Sequence, residues 1–143
     1  MREVAFTIPV EPVAQGRPRL SSRGGFARAY DPPKSRAYKK TVAKYAQQAM
    51  GEANLDGLLE GPLIMRARFA FPLAKSHYRK RTPLVTVYRA KKPDLDNICK
   101  ALTDGCEGIV YLNDSQVAKM VVEKVTLGQG EPAYTSVLFQ EMN

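Results

Sequence analysis

The chain has 143 residues and a formal net charge of +8, and 44% of its residues are hydrophobic. This length suffices for one globular domain with a hydrophobic core, which we expect to cover residues 1–143. No apolar run is long enough to span a bilayer, and the first residues are too weakly apolar for a signal peptide. Only two cysteines, Cys99 and Cys106, are present, so a disulfide framework is not expected, and a cytoplasmic protein without a membrane partner is expected.

The charge is concentrated in separate segments. Residues 1–50 carry ten Lys and Arg against three Asp and Glu, and residues 75–92 carry seven basic residues and no acid. Residues 93–114, in contrast, carry five acids and a single lysine. Arginines grouped with Gly, Pro and Tyr favour a polyanionic partner, and nucleic acid is the leading candidate. A solvated basic surface is the alternative, and nothing indicates a small-molecule substrate.

The first third of the chain predicts a strand, a loop and a helix. Apolar residues alternate over residues 4–10, as in a strand with one buried face. Residues 14–33 are rich in Gly, Pro, Ser and Arg and predict a long loop, which in a compact domain is typically functional or disordered. Ser35 fits the N-cap of a helix that ends near Gly51.

The remainder of the chain predicts further strands and a second helix. The resulting order, β-α-β-α-β-β, is typical of an α/β or α+β domain whose two main helices cover one or both faces of a mixed sheet. A Gly-rich turn between the last two strands predicts that they form a hairpin. The strands are predicted near residues 61–72, 116–127 and 133–140, with a further short one at 84–88, and the second helix runs from about Asp94 to Cys106.

The second helix has one apolar face and one charged face. Asp96, Lys100 and Asp104 follow one another at intervals of four residues, and Asn97 lies beside them. Asp94 falls at or near the N-cap. The ordinary interpretation of these charges is a helix cap together with two i,i+4 ion pairs on a solvated face.

A further aspartate, Asp114, favours a different interpretation. It lies in a predicted turn just before a strand, where its carboxylate can come near the start of the second helix. Carboxylates that converge without histidine or thiolate form an all-oxygen site that suits Mg²⁺ or Mn²⁺ better than zinc. Such ions promote phosphoryl chemistry, and a neighbouring lysine such as Lys100 stabilises the developing negative charge. The single histidine, His77, lies in a basic loop, which disfavours histidine-based catalysis.

The stretch "KPDLDNICKALTDGCEGIVYLNDSQV" closely resembles the signature of the RusA family of endodeoxyribonucleases, which resolve Holliday junctions. The family pattern combines DxDN-x-x-K-x-x-x-D with a later acidic Asp-x-Gln-Val segment, and "GRPRL" and "RAYDPPKSRAYK" resemble its N-terminal part. The matching positions are Asp94, Asp96, Asn97, Lys100, Asp104, Asp114, Gln116 and Val117.

This resemblance implies a symmetric homodimer, dependent on Mg²⁺ or Mn²⁺, that cuts four-way DNA junctions by paired symmetric incisions. It implies that Asp94, Asp96 and Asp114 bind the metal and that Lys100 is the catalytic lysine. Asn97 and Asp104 match the pattern, and a structural role is open for both.

One position departs from the family pattern. Many members have two adjacent aspartates where this chain has Asn113 and Asp114. The second aspartate, the implied metal ligand, is retained. Replacement of the first is expected to alter metal affinity or ion preference.

Binding to branched DNA is expected to come mostly from phosphate contacts and to weaken steeply with salt. Because no helix-turn-helix or zinc finger is recognisable, selectivity for junctions would come from DNA shape. A non-catalytic architectural junction-binding protein, or a nuclease acting on flaps or generally, are the alternatives. The predicted phosphate contacts are Arg17, Arg19, Arg23, Arg28, Lys75, Arg79, Lys80 and Arg81.

Overall fold

The structure is a computed structural model that describes residues 1–16, 19–21 and 28–143. Within these residues it has seven strands and two α-helices, with short 3₁₀ turns at Lys75–His77 and Asp114–Gln116. The elements in chain order are β1 (Glu3–Ile8), β2 (Arg19–Ser21), β3 (Arg28–Tyr30), α1 (Pro33–Ala53), β4 (Leu63–Phe71), β5 (Val87–Tyr88), α2 (Leu95–Cys106), β6 (Val117–Thr126) and β7 (Tyr134–Glu141).

Five of the strands form one mixed sheet in the order β1-β7-β4-β6-β5. Strands β4 and β6 run parallel, and the other neighbouring pairs are antiparallel. The predicted α+β class, with a mixed sheet and two main helices, is confirmed. The predicted strands of this sheet and both predicted helices are present with boundaries close to those expected.

The predicted hairpin between the last two strands is wrong, because β4 lies between β6 and β7. Met65 of β4 is opposite Met120 of β6 on one side and Phe139 of β7 on the other. The physical reason is burial: β4 is the most thoroughly buried strand, and central placement covers both of its edges. A turn sequence predicts a reversal of the chain, but it does not specify which strand becomes the neighbour.

Two local predictions near the N-terminus also need correction. The predicted loop 14–33 contains the antiparallel pair β2 and β3, whose three-residue strands are too short to show an alternating pattern. The first helix begins at Pro33 with Pro32 at the N-cap, so Ser35 lies inside the first turn. Proline suits the first turn because it lacks an N–H group, and no helical partner is available there.

Both helices pack on the same face of the sheet. Burial of each large apolar side chain in this core contributes about 1.5–3 kcal/mol. The core includes Tyr38, Val42 and Ala46 from α1, Ile98, Leu102 and Cys106 from α2, and Val4, Ile8, Leu63, Met65, Phe69, Val137 and Phe139 from the sheet.

Close contact between the helices depends on Gly105 of α2. A Cβ atom there would lie 2.8 Å from Cγ1 of Val42 and 3.3 Å from the carbonyl oxygen of Lys39, both on α1. The missing side chain therefore lets α1 approach the last turn of α2, beside Asp104 of the predicted site. Of the helices in the described residues, none is both long and apolar enough to cross a membrane.

Candidate active site

Asp94 occupies the N-cap position of α2, but its side chain does not cap the helix. Its backbone is extended (φ −67°, ψ 139°), and no side-chain hydrogen bond reaches the N–H groups of the first turn. An aspartate at this position normally accepts such a bond. The carboxylate of Asp94 is therefore exposed at the positive end of the helix dipole, without the capping bond that the ordinary interpretation requires.

Two basic side chains hold the segment that precedes α2. Lys124, on β6, donates from Nζ to the carbonyl oxygens of Lys91 (2.6 Å) and Pro93 (2.7 Å). Arg89 donates from Nε and Nη2 to the carbonyl oxygen of Lys92, at 3.1 and 2.9 Å. Sequence reasoning missed both residues: Arg89 is one of several basic residues in the segment 75–92, and Lys124 lies far along the chain on a strand whose local pattern carries no sign of this contact.

Lys100 forms ion pairs with two carboxylates, those of Asp104 and Asp114. Its Nζ lies 3.2 Å from Oδ1 of Asp104, on the following turn of α2, and 3.4 Å from Oδ2 of Asp114. Hydrogen bonding to Asp104 and its charge, followed by the charge of Asp114, raise the pKa of Lys100 above its ordinary value. The structure thus brings together the predicted catalytic lysine and one predicted metal ligand. In the described part of the chain, Asp96 forms no ion pair.

The turn that carries Asp114 is fixed by its neighbours. The side-chain oxygen of Asn113 accepts a hydrogen bond from the N–H of Ser115 at 2.9 Å, and the carbonyl of the Gln116 side chain accepts one from the N–H of Asn113 at 3.1 Å. Gln116 also donates to the carbonyl oxygen of Gly61 at 3.1 Å, and the N–H of Asp114 donates to Glu107 at 3.0 Å. Asn113, which replaces an acid of the family pattern, therefore acts here as a cap.

An ion-pair chain continues from the site into α1. Lys39 Nζ lies 3.4 Å from Oδ2 of Asp104 and 3.0 Å from Oδ2 of Asp31, which directly follows β3. The ion-pair chain thus comprises Asp31, Lys39, Asp104, Lys100 and Asp114. Lys39 is not among the residues predicted for the site, and only the packing of the two helices brings it to Asp104.

The N-terminal segment is attached to the same region. The side-chain hydroxyl of Ser35 donates to Asp31, and the amide of Gln15 donates to the same carboxylate at 3.2 Å. Hydrogen bonding from Ser35, and then the contact with Lys39, hold the pKa of Asp31 below its ordinary value. The backbone N–H of Gln15 donates to the carbonyl oxygen of Asn97 at 3.0 Å. Asn97 thus has a backbone contact, while the role of its side chain stays a prediction.

The predicted metal ligands Asp94, Asp96 and Asp114, all within the described residues, do not form a cluster in the structure. Among residues 1–16, 19–21 and 28–143, no three His, Cys, Asp or Glu side chains lie close enough together to hold a metal ion. The donor chemistry of Asp94, Asp96 and Asp114 nevertheless suits Mg²⁺, which proteins often hold by one or two carboxylates together with substrate phosphates and water. The oxygen ligands of these residues suit Mg²⁺, but the described part of the chain does not by itself bring them together into a complete coordination site.

Both cysteines lie on the buried face of α2. Cys99 and Cys106 are both buried in the core. Burial, and secondarily the charge of Asp96, raises the pKa of Cys99 to about 11. Burial also raises the pKa of Cys106. Both are therefore protonated thiols at neutral pH and behave as small hydrophobic residues of the core.

Four of the eight predicted phosphate contacts lie in the loop between β4 and β5. Lys75, Arg79, Lys80 and Arg81 are all exposed, as is His77 in the same loop. Of the other four, Arg17 and Arg23 lie outside the described residues. Arg19 and Arg28 belong to β2 and β3, and their side chains are also outside what the structure describes.

The side chain of Gln129 holds this basic loop in place. Its carbonyl oxygen accepts hydrogen bonds from the N–H groups of Arg79 (2.6 Å) and Leu84 (3.1 Å), and its amide donates to the carbonyl oxygen of Arg79 at 3.1 Å. The loop leaves the C-terminal end of β4, and Lys124, near the same end of the parallel strand β6, holds the start of α2. The basic loop and the start of α2 therefore lie at one end of the sheet.

An α+β domain that presents carboxylates and a lysine near a structured cationic loop has the features of a nuclease. The family model described as Endodeoxyribonuclease RusA matches residues 9–133. The chain is also 35% identical over 126 residues to Uncharacterized protein YqaN of Bacillus subtilis (strain 168), across 85% of this chain and 86% of that protein. The chain therefore belongs to the RusA endodeoxyribonuclease family, as its motifs predict, and is a DNA endonuclease.

Proposed function

We propose that this endonuclease is a homodimeric, divalent-metal-dependent resolvase that cuts four-way DNA junctions by paired symmetric nicks. The observation that carries the proposal is the placement of Lys100. Its ammonium group lies beside Asp114, while the carboxylates of Asp94 and Asp96 form no ion pair in the described parts of the chain. Such an arrangement supports phosphodiester hydrolysis better than it supports a passive surface.

The proposed roles follow from the chemistry of each side chain. Asp94, Asp96 and Asp114 would hold Mg²⁺ or Mn²⁺, which when bound stabilises charge on the phosphate and lowers the pKa of a bound water. Lys100 has a side chain that is 56% exposed and can therefore reach a bound phosphodiester. Its positive charge would stabilise the negative charge that develops on the non-bridging oxygens.

The proposed DNA partner is recognised mainly through its phosphates. The exposed basic loop, held by Gln129, supplies a cationic surface at the end of the sheet where α2 begins. A four-way junction has pairs of strands related by two-fold symmetry, so a two-fold homodimer can place one active site on each member of a pair. Paired cuts then require no rearrangement of the complex between the two incisions.

The test is cleavage of an end-labelled synthetic four-way junction with and without Mg²⁺. We expect symmetric nicks from the wild type with Mg²⁺, none from Asp96→Asn, and wild-type cutting by the control Asp56→Asn, which removes an exposed acid elsewhere. Cutting by Asp96→Asn at the wild-type rate would contradict the assignment of Asp96. Light scattering of the purified protein with and without the junction measures the number of subunits.

The same assay separates the alternative functions. Tight junction binding with no cutting under either Mg²⁺ or Mn²⁺ would favour an architectural protein, and the aspartates would then be surface charges. Equal cutting of four-way, flap and duplex substrates of identical sequence would favour a general nuclease. A strong preference for the four-way substrate supports the resolvase.

A further inference from the structure

Lys100 is an exposed, flexible side chain that needs an external constraint to act at one place. A lysine has a long stem with many rotamers, and an exposed one samples them freely. Two carboxylates limit Lys100, and one of them, Asp114, is also a proposed metal ligand. If Asp114 binds a cation as proposed, Asp104 would be the carboxylate that remains to hold the ammonium group.

Asp104 is itself oriented by a second lysine. Its Oδ1 faces Lys100 at 3.2 Å, and its Oδ2 faces Lys39 at 3.4 Å, so each oxygen has its own cationic partner. Both Asp104 and Lys39 are mostly buried, with side chains 23% and 21% exposed. Lys39 is fixed in turn by Asp31 at 3.0 Å. Lys39, on α1, therefore fixes the orientation of the Asp104 carboxylate.

The packing of the helices creates this contact. Gly105 follows Asp104 directly, and its missing side chain allows the backbone of Lys39 to approach α2. The pair Lys39–Asp104 thus lies beside a tight contact between the helices, where its partial burial leaves it less screened than a surface pair. An ordinary i,i+4 pair on a solvated helix face has no such support.

We propose that Asp104 and Lys39 are positioning residues for Lys100, and that Asp31 connects them to the chain that leaves β3. Lys39 does not touch the reacting atoms in this account. It acts by fixing Asp104, which holds the ammonium group of Lys100 toward the site. The expected effect on cleavage rests on the proposed function, whereas the contacts of Asp104 with Lys39 and Lys100 do not depend on it.

The first test separates chemistry from DNA binding. Asp104→Asn and Lys39→Met are compared with Lys40→Met, which removes the neighbouring and exposed positive charge of α1. We expect the single-turnover cleavage rate of a pre-bound junction to fall about tenfold in both positioning variants, with the junction Kd changed no more than in Lys40→Met. Lys39→Arg, which retains the charge, should restore most of the rate. Wild-type rates in both Asp104→Asn and Lys39→Met would overturn the proposal.

The second test needs no activity. In protein labelled with ¹⁵N-lysine, the Nζ resonance of Lys100 is assigned by its absence from Lys100→Arg. We expect it to shift toward the resonances of free lysines in Asp104→Asn and also in Lys39→Met, although Lys39 contacts Lys100 only through Asp104. Lys40→Met should leave it unchanged. A resonance that is unaffected in both positioning variants would overturn the proposal.

The cleavage rate and the Nζ resonance together show whether the proposed function or the positioning of Lys100 is wrong. If the wild-type protein does not cut a four-way junction, the proposed function is wrong, and the Nζ resonance still decides whether Lys39 and Asp104 position Lys100. Circular dichroism identifies any variant that does not fold. Should Asp104→Asn be such a variant, the comparison of Lys39→Met with Lys39→Arg decides the question.

Discussion

A Cβ atom placed on Gly105 would lie 2.8 Å from Cγ1 of Val42, a distance that real side chains essentially never adopt. The two helices of this endonuclease therefore meet where one side chain is missing. Because Asp104 and Lys39 lie beside this contact, the packing of the helices and the geometry of the candidate active site depend on each other.

Gly105→Ala is expected to destabilise the protein. The added methyl group must displace Val42 and separate the helices, and overpacking of this kind typically costs about 1–3 kcal/mol. Urea denaturation monitored by circular dichroism measures the loss. The matched control is Gly51→Ala, because a Cβ atom there meets nothing within 4 Å and the helical position favours alanine. Equal stability of the two variants would contradict the close approach.

Asn113→Asp is expected to preserve the fold and strengthen metal binding. An aspartate can cap the turn that carries Asp114 as asparagine does, and it adds a negative charge beside the proposed site. Calorimetric titration with Mn²⁺ should show severalfold tighter binding than the wild type. Asn113→Ala, which removes the cap, should lose about 1 kcal/mol of folding free energy. Unchanged Mn²⁺ affinity in Asn113→Asp would mean that this position does not influence the metal.

The pair Arg2–Glu141 is expected to make stability depend on acidic pH. Hydrogen bonding from Arg2, and then from the backbone of Glu60, lowers the pKa of Glu141 from 4.5 to about 2. A carboxylate with a depressed pKa contributes stability that is fully present above its unfolded value. This contribution should be lost as the pH falls from about 4.5 to about 2.

The measurement is the midpoint of urea unfolding across that pH range. Glu141→Gln should be less stable than the wild type at neutral pH, and the difference should shrink as the solution is acidified. The exposed acid Glu52 offers a control, since Glu52→Gln should follow the wild-type curve. A constant difference between wild type and Glu141→Gln at every pH would contradict the prediction.

The basic loop is expected to supply phosphate contacts. Replacing Arg79 and Lys80 with alanine should weaken junction binding and reduce the slope of log K against log salt by about 0.9 for each phosphate that the variant no longer neutralises. Fluorescence anisotropy at several salt concentrations measures the slope. Gln129→Ala should weaken binding without changing the charge, because it releases the backbone of Arg79. A wild-type slope in the double variant would place the DNA elsewhere.

Local patterns in the sequence predicted the individual elements well. The helix from Asp94 to Cys106 and the strand at Leu63–Phe71 follow from apolar residues repeating at helical and strand periods. The family motif identified the endonuclease family, which the comparisons confirm. These features depend on residues a few positions apart, so their signal is present in the chain before it folds.

Relations between distant segments were decided only by the tertiary structure. The insertion of β4 between β6 and β7 follows from burying the most apolar strand on both edges, which no turn sequence encodes. The four-residue spacing along α2 allows Lys100 to pair with either Asp96 or Asp104. In the structure it pairs with Asp104, which also contacts Lys39, and with Asp114. Local sequence thus specifies which groups are available for chemistry, and long-range packing selects which of them meet.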